Sequence, residues 1–461
     1  MKIYHQSISK LKDQRGAVAV IVAISVLFFV LGIAALAIDI GYVAATKNEL
    51  QNVADSSALA GAGLLGEIYT NMSYDNQQIY DVTSDGDYDD TIFSGALDIF
   101  LAPPYATDEE SIERMAYEAA IQNKAAGKNI DIMIDVNDIQ IGRWDASKPD
   151  PNKFEENPIH PNAVKVIARR DSTANTRITT FFARIFGVDD LPVSADAVAA
   201  LTGQSYAGPG EVELPIGIST EWFDLHDDDG SYCGDQIAFS PPTDPDACGG
   251  WTGWLLGHND NLIGNILNNS NGSDPDPSLD SPAITAEETI FDFTNGNLSQ
   301  QTFYALQALF QIKGHDVTPS GEPACGFFPD PDGDTPKVPC YKPVHWDVNI
   351  TGSIGNANNP LPQMDSKKTD EQTQYPNIFE DTLRYAHRWQ TGVLVYEDTP
   401  GDCAPNETLT IVGFVEVELT HVGDSSDKIV YGNIKCDYVE GPTTGGGGSF
   451  GKYGSVPNLV E

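Results

Sequence analysis

The sequence predicts an α+β protein: a single N-terminal transmembrane helix extended into a long helix, an α+β domain, and a disulfide-stapled, mainly β C-terminal domain. Three observations carry this prediction: a long apolar run near the N-terminus, a change from helical to strand patterning along the chain, and six cysteines that all lie in the second half. With 41% hydrophobic residues, the chain has enough apolar material to form packed cores.

The apolar run covers Ala17–Ile38, which contains no charged residue. As a helix it rises roughly 33 Å, which matches a bilayer hydrocarbon core of about 30 Å. Four basic residues precede it, namely Lys2, Lys10, Lys12 and Arg15. They predict that residues 1–16 are a cytoplasmic stub and that the rest is exported. A cleaved signal peptide ending at Ala35-Leu36-Ala37 is the alternative, but signal peptides have shorter apolar regions of about 7–15 residues.

Residues 39–66 continue the helical pattern beyond the apolar run. They lack proline, and apolar or small residues recur at the spacing of one helical face, namely Val43, Leu50, Val53, Ala54, Ser57, Ala58 and Gly61. The sequence therefore predicts one helix from about Ala17 to about Leu65. Small residues on this face permit close approach of another element, and the chain's own globular domain is the expected partner.

Residues 67–203 are predicted to form the α+β domain. A helix is expected over 109–124 and strands over 130–136, 163–168 and 193–201, the first because apolar residues alternate there with polar ones. Four apolar residues in 179–186 have helical spacing, namely Phe181, Phe182, Ile185 and Phe186. Residues 204–213, rich in glycine and polar residues, are predicted to be a linker.

Residues 214–440 are predicted to form the cysteine-containing, mainly β domain. Short strand patterns alternate there with Asn-, Asp-, Gly- and Pro-rich loops. Strands are expected over 214–218, 344–350, 392–396, 409–419 and 429–434, with one helix over 300–312. The Gly-rich residues 441–461 are predicted to be a flexible tail.

The six cysteines suit an exported, oxidising location. They are Cys233, Cys248, Cys325, Cys340, Cys403 and Cys436. Six cysteines allow fifteen pairings. The simplest local solution is sequential pairing, which gives Cys233–Cys248, Cys325–Cys340 and Cys403–Cys436. We expect this pairing. Buried free thiols are the alternative, and zinc is disfavoured because no C-x2-C pair is present.

The chain is strongly acidic, with a formal net charge of −41. Binding to a nucleic-acid backbone or to an anionic surface needs clustered Lys and Arg, so both are disfavoured. Calcium is a weak possibility, because acidic residues cluster on turns at Asp227 and Asp229, and at Asp330, Asp332 and Asp334. Another acidic turn begins at Asp81, but none of these segments fits a complete EF-hand loop, and solvated turn aspartates explain them equally. No cofactor is predicted.

The sequence lacks several familiar enzyme motifs, and no catalytic residue and no enzyme activity is predicted. There is no H-E-x-x-H, no G-x-S-x-G and no D-x-S-x-S metal motif. Gly446, Gly448 and Gly451 fit G-x-G-x-x-G and Lys452 follows, but too few residues remain for the helix that would receive a phosphate. The tryptophans could line a glycan groove, although core packing is the usual role of such residues.

Residues 14–62 resemble the N-terminal segment of TadE/TadG-like proteins of the Flp (tight adherence) pilus assembly system. The matching elements are Arg15-Gly16, Asp39-Ile40-Gly41 and the run LQNVADSSALAG from Leu50 to Gly61. Residues 162–201 (NAVKVIARR, FFARIFG, VSADAVAAL) are similar to the downstream part of TadG-like proteins. IVGFVEVEL and the glycine-rich end resemble their C-terminal region.

This resemblance implies a single-pass protein of the bacterial inner membrane whose periplasmic part helps assemble or anchor an adhesive pilus. Its partners would be pilus components and other Tad machinery proteins, with the bilayer around Ala17–Ile38. Prepilin-like members carry a Glu about five residues after the processing Gly, where this chain has Ile21, so a stable anchor is favoured over a filament subunit. An anchored module that binds calcium or glycan during surface attachment is the alternative.

Overall fold

The computed structural model describes residues 3–72, 74–83, 107–132, 137–226, 232–239, 248–270, 276–295, 298–317, 386–397, 405–422 and 430–460. It confirms the predicted α+β class with a long N-terminal helix and a disulfide in the C-terminal region. The chain forms two compact units. The first comprises Met1–Leu65, Tyr80–Ala200 and Leu459–Glu461, and the second comprises Gly66–Ile79 and Leu201–Asn458.

The N-terminal helix runs from Ile3 to Thr70, longer at both ends than predicted. No proline interrupts it, so every residue after the first turn can donate its backbone N–H to the helix. The side chains from Val18 to Ile38 are exposed apart from a partly shielded Gly32 and Ala35, whereas Leu50, Val53 and Ala58 are buried. The same helix therefore has an unpacked apolar half and a packed half.

The first unit contains a five-stranded sheet and a second helix. In spatial order the strands are Asn458–Leu459, Val193–Ala200, Ala163–Arg170, Ile139–Trp144 and Phe154–Glu156. The helix is Asp108–Ile121, and Thr107 caps its N-terminus by accepting the N–H of Glu110 with its side chain. Such caps commonly contribute about 1 kcal/mol. Short two-stranded ladders join Lys124–Ala125 to Lys128–Asn129 and Ile178–Thr179 to Asp190–Leu191.

The predicted helix and two of the three predicted strands of this unit are confirmed, with small shifts at their ends. The strand predicted over 130–136 is wrong for residues 130–132, and the rest lies outside the described residues. Ile130 and Ile132 are buried, as their alternation indicates, but the backbone N–H of Asp131 bonds the side chain of Asn175. Ala163–Arg170 pairs with Ile139–Trp144 on one side and with Val193–Ala200 on the other.

The packed half of the long helix lies against the first unit, as expected from its small residues. A Cβ added at Gly61 would come within 3.1 Å of the Val164 side chain and 3.4 Å of the Ala116 side chain. Glycine is therefore what lets the helix backbone approach both the sheet and the second helix. Because Ala54 and Ala58 are fully buried on the same face, larger residues there would push the helix away.

The second unit is built on an eight-stranded sheet. In order the strands are Gln236–Phe239, Val430–Lys435, Thr408–Val422, Ile290–Thr294, Gly249–Thr252, Ile216–Ser219, Ala386–Tyr396 and His315–Val317. An additional pairing of Thr408–Val422 with Ala386–Tyr396 closes the five strands between and including them into a ring. The pair Ile216–Ser219 and Ala386–Tyr396 is parallel.

Four helices lie within the described part of the second unit, and the last three of them contribute to its core. They are Tyr74–Gln78, Thr220–His226, Asp260–Asn269 and Gln300–Lys313, with 3-10 turns at Trp254–Leu256 and Pro277–Leu279. Ser299 caps the last helix by accepting the N–H of Thr302. The predicted strands near 214, 392, 409 and 429 and the helix near 300 are confirmed, whereas the strand predicted over 344–350 lies outside the described residues.

The C-terminal residues were predicted as a flexible tail, and this is wrong. Strands Tyr438–Thr444 and Lys452–Val456 pair in parallel within the second unit, beside a short ladder of Tyr206–Ala207 with Ile284–Thr285. The glycines between them make close contacts: a Cβ at Gly447 would lie 2.2 Å from the carbonyl oxygen of Gln204. The glycines serve close backbone packing here, which composition alone cannot distinguish from flexibility.

The disulfide links Cys233 to Cys436, which corrects the predicted Cys233–Cys248 and Cys403–Cys436 pairs. Strands Gln236–Phe239 and Val430–Lys435 are antiparallel, with Gln236 opposite Asn433. Continuing that register three residues back from Gln236 and three residues on from Asn433 places Cys233 opposite Cys436. Cys248 is also disulfide-bonded, and the predicted Cys325–Cys340 pair lies outside the described residues.

Candidate functional site

The candidate site is the place where the apolar half of the long helix meets the first unit. The helix is long and apolar enough to cross a membrane, and none of its most apolar stretch is buried in the protein. A core helix of similar composition would be covered by other elements. An uncovered apolar helix of this length is instead suited to a lipid environment.

Asp39 marks the end of the apolar run and is tied to the first unit. Its Oδ1 accepts the backbone N–H of Phe181 at 2.8 Å, and its Oδ2 accepts those of Phe182 and Ala183 at 3.0 and 2.6 Å. Burial disfavours the charged carboxylate, but the three N–H donors and nearby Arg184 outweigh that effect, so the pKa of Asp39 is lowered. The carboxylate therefore fastens the helix to one loop of the unit.

That loop is the tip of a β-hairpin. Its arms are Ile178–Thr179 and Asp190–Leu191, and a 3-10 turn, Ala183–Phe186, lies between them. We call residues 181–188 the apolar tip. Phe181 packs edge-on against Tyr42 of the long helix, with ring centroids 5.2 Å apart. Ile185 and Phe186 are 76% and 75% exposed.

Sequence reasoning placed Phe181, Phe182, Ile185 and Phe186 at helical spacing but missed their exposure. All four are exposed on the tip. A usable signal was present: this connection between two strands is apolar where surface loops are usually polar.

The run from Leu50 to Gly61 of the resemblance motif contributes to packing of the helix on the first unit. Gln51 donates one hydrogen bond to Asp55, at 2.8 Å, and another to the carbonyl oxygen of Asp196 in the sheet, at 3.0 Å. Leu50, Ala54 and Ala58 are fully buried. This part of the motif therefore supplies contacts that hold the helix on the first unit.

The calcium candidates receive no support from the described residues. Asp227, Asp229, Asp330, Asp332 and Asp334 lie outside them. Asp81 lies within them, where its carboxylate accepts the N–H and hydroxyl of Thr83 in a local turn. Within the described part of the chain, no group of three or more acidic, His or Cys residues is arranged to hold a metal ion.

Four tryptophans considered for a glycan groove are buried in the second unit, namely Trp222, Trp251, Trp254 and Trp389. Trp222 is fully buried and stacks on His226 with ring centroids 4.1 Å apart. These side chains fill cores, so no aromatic surface is left by them for stacking on a sugar. Trp346 lies outside the described residues.

Lys452 follows the glycine-rich motif, but its ammonium is not placed as in a phosphate-binding loop. Its ammonium is buried and contacts Glu416 Oε2 at 2.8 Å and Glu440 Oε2 at 3.2 Å. Burial alone would lower the pKa of Lys452, but the two carboxylates raise it above its ordinary value. The residue is therefore a structural cation of the second unit.

Within the described residues, one helix is apolar and uncovered over its first half and packed on an α+β unit over its second half; this arrangement defines the class of protein. Two family models match the chain. Residues 16–63 match the Flp pilus-assembly TadE/G-like family, and residues 102–199 match the Tad-like Flp pilus-assembly family. Neither a curated protein nor a solved structure matches the chain.

The two matches confirm the resemblance to TadE/TadG-like proteins and associate the chain with Flp pilus assembly. They cover the structural elements described above. The first contains the apolar run, Asp39 and the packed half of the helix, and the second contains the five-stranded sheet's central strands and the apolar tip.

Proposed function

We propose that the protein is a membrane-anchored, non-enzymatic assembly or anchoring component of a Tad/Flp-type pilus system. The observation that carries the proposal is the long helix: its apolar half is uncovered, and its other half is packed on a folded unit. Residues 16–63 of this helix match the TadE/G-like family. Such a helix anchors the folded unit to the bilayer and fixes its position relative to the membrane.

The proposed topology is single-pass, with residues 1–16 in the cytoplasm and the bulk in the periplasm. The basic residues before the apolar run favour this orientation. The Cys233–Cys436 disulfide in the second unit supports it, because such bonds persist in oxidising compartments. The location would be the inner membrane, where Lys and Arg before a span are retained on the cytoplasmic side.

A structural role fits the titratable groups of the described residues better than catalysis does. Lys452 and Glu416 are paired with each other inside the second unit, and Asp39 is occupied by three backbone N–H donors. Each of these groups stabilises the fold where it lies. The proposed partners are pilus components and other Tad machinery proteins, with lipid around residues 17–38.

The test is deletion of the coding sequence in the source bacterium, followed by measurement of surface-exposed pilin. Deletion should abolish assembled pili while leaving the level of unassembled pilin in the cell unchanged, and the full chain supplied in trans should restore them. A deletion strain with normal surface pili would contradict the proposal. The Lys148→Met chain, which changes one exposed side chain, should also restore the pili when it is supplied in trans. It serves as the control for expression.

A further inference from the structure

We propose that the apolar tip is a second membrane contact: residues 181–188 insert into the bilayer surface beside the point where the long helix emerges. The inference rests on the proposed transmembrane placement of residues 17–38 and deepens it. Its occupant is the lipid bilayer itself, on the side of the membrane that carries the folded units.

The composition and exposure of the apolar tip fit a lipid contact. Phe181, Phe182, Ile185, Phe186 and Val188 are all exposed. Large apolar side chains clustered on one exposed turn are costly in water and commonly mark an interaction surface. The cluster occupies the end of a hairpin, where it can enter a bilayer without exposing strand edges.

The level of the apolar tip is set by Asp39. Ile38 is the last residue of the apolar run, and the next residue accepts three N–H bonds from the tip. The tip backbone therefore lies within hydrogen-bond distance of the helix where the helix leaves the hydrocarbon region. Ala35, one turn earlier on the Asp39 face, is partly shielded, whereas Ala34 and Ala37 are exposed.

The charged residues in and next to the apolar tip are also compatible with a lipid contact. Arg184 is the only charged residue within the tip. Arginine can keep its guanidinium among headgroups while its stem lies along apolar surface. Asp189 and Asp190 directly follow the tip, and Asp190 lies in an arm of the hairpin and pairs with Arg177 at 3.2 Å. An apolar end flanked by charged residues is the arrangement expected of a loop that enters an interface.

Continuity with the helix favours lipid over a protein partner. Ile38 and Ile40 flank Asp39 and are exposed like the tip side chains. A bilayer around the helix would cover both with one surface. The consequence is two-point attachment, which would restrict rotation and tilt of the first unit about the helix axis.

The test is site-specific photocrosslinking with benzophenone-alanine in the full chain, in native membranes, with adducts identified by mass spectrometry. Probes are placed at Ile185, at Leu27 in the apolar run, and at Ile159. Ile159 is 50% exposed. It lies just before the strand Ala163–Arg170, whose first residues are close to Gly61 of the long helix. Gly61 is roughly 33 Å along that helix from Asp39. It is therefore a matched apolar control away from the membrane.

We expect lipid adducts at Ile185 and Leu27, with yields at least about ten-fold above Ile159 because only the first two positions meet acyl chains. Lipid adducts at Leu27 but not at Ile185 would overturn the inference and leave the anchor intact. Adducts of Ile185 with a second copy or another protein, in place of lipid, would also overturn it. No lipid adduct at Leu27 would instead show that the proposed anchor fails.

Asp39→Ala tests whether the carboxylate positions the tip. Without the three N–H bonds the tip is free to move from the helix, so the lipid adduct yield at Ile185 should fall about three-fold or more while the yield at Leu27 is unchanged. An unchanged yield at Ile185 would overturn the positioning role of Asp39.

Discussion

Lys452 gives the sharpest expectation at the scale of single residues. Its ammonium and the Glu416 carboxylate are both buried and lie 2.8 Å apart. Lys452→Met leaves Glu416 without its cation, and breaking a buried pair in this way typically costs about 3–5 kcal/mol. We therefore expect a clear fall in the unfolding midpoint of the second unit, measured by tryptophan fluorescence, because Trp222, Trp251 and Trp389 lie in its core.

Two further variants separate lost charge pairing from lost packing. Lys148→Met removes a half-exposed cation 3.6 Å from Glu155 and should cost no more than about 1 kcal/mol. The double variant Lys452→Met with Glu416→Met should recover much of the lost stability, since no unpaired charge stays buried between them. If the double variant is as unstable as Lys452→Met alone, burial of the Glu416 charge is not the cause.

Glu113 gives a pH-dependent expectation. Burial, and then repulsion from Glu109 and Glu110, raise the pKa of Glu113 from 4.5 to about 7 in the folded chain. Because the folded pKa is the higher one, the stabilising contribution is complete below pH 4.5 and is lost as the pH rises through about 7. Glu113→Gln should therefore stabilise its helix at pH 8 and not at pH 5.

Hydrogen exchange of the peptide covering Asp108–Ile121 measures this effect. The comparison is between Glu113→Gln and the unsubstituted chain at the same pH, so intrinsic exchange rates cancel. Glu118→Gln is the control: Glu118 is on the same helix and pairs with Arg114, so it should show no gain at pH 8. Equal protection of the unsubstituted chain and Glu113→Gln at pH 8 would refute the expectation.

At the scale of elements, the disulfide is the most direct test of the strand register. Digestion without reduction, with free thiols blocked, should release a peptide containing Cys233 joined to a peptide containing Cys436. These residues close a loop with a sequence separation of 203, and a loop of that length restricts the unfolded chain by about 5 kcal/mol in the chain-entropy model. A Cys233–Cys248 peptide pair would contradict the register of Gln236–Phe239 with Val430–Lys435.

Local patterns predicted the elements of this chain better than the contacts between them. The long helix, the strands near 163, 193 and 409, and the helix near 300 follow from apolar periodicity, which acts over a few residues. The Cys233–Cys436 bond depends on a strand order that brings distant segments together, and no spacing in the sequence encodes it. Sequential pairing failed for this reason.

The same limit applies to the candidate site. The apolar run and the small-residue face of the helix were predictable, because membrane thickness and helix geometry fix their lengths. The bonds from Asp39 to residues 181–183 join positions more than a hundred residues apart. The helical spacing of Phe181 and Ile185 did not indicate that both lie on the exposed end of a hairpin with short arms.

At the scale of the whole molecule, the helix that carries the apolar run is continuous with the one packed on the first unit. We therefore expect the chain to remain in the membrane pellet after washing with alkaline carbonate, and to retain residues before Ala35 when analysed by mass spectrometry. A soluble product beginning near Ile38 would show that the apolar run is a cleaved signal peptide.

Charges in the middle of the apolar run test the anchor directly. Leu27→Arg with Phe28→Arg places two arginines there, each costing about 2.5–3.5 kcal/mol at the centre of a membrane helix. The doubly substituted chain should lose its resistance to carbonate, whereas Ile159→Arg, at another exposed apolar position of the first unit, should keep it. Since neither set of substitutions touches the packed half of the helix, the folded units should be equally protease-resistant in both. Carbonate resistance of the doubly substituted chain would mean that attachment depends on another part of the molecule, and the apolar tip would then be the first region to test.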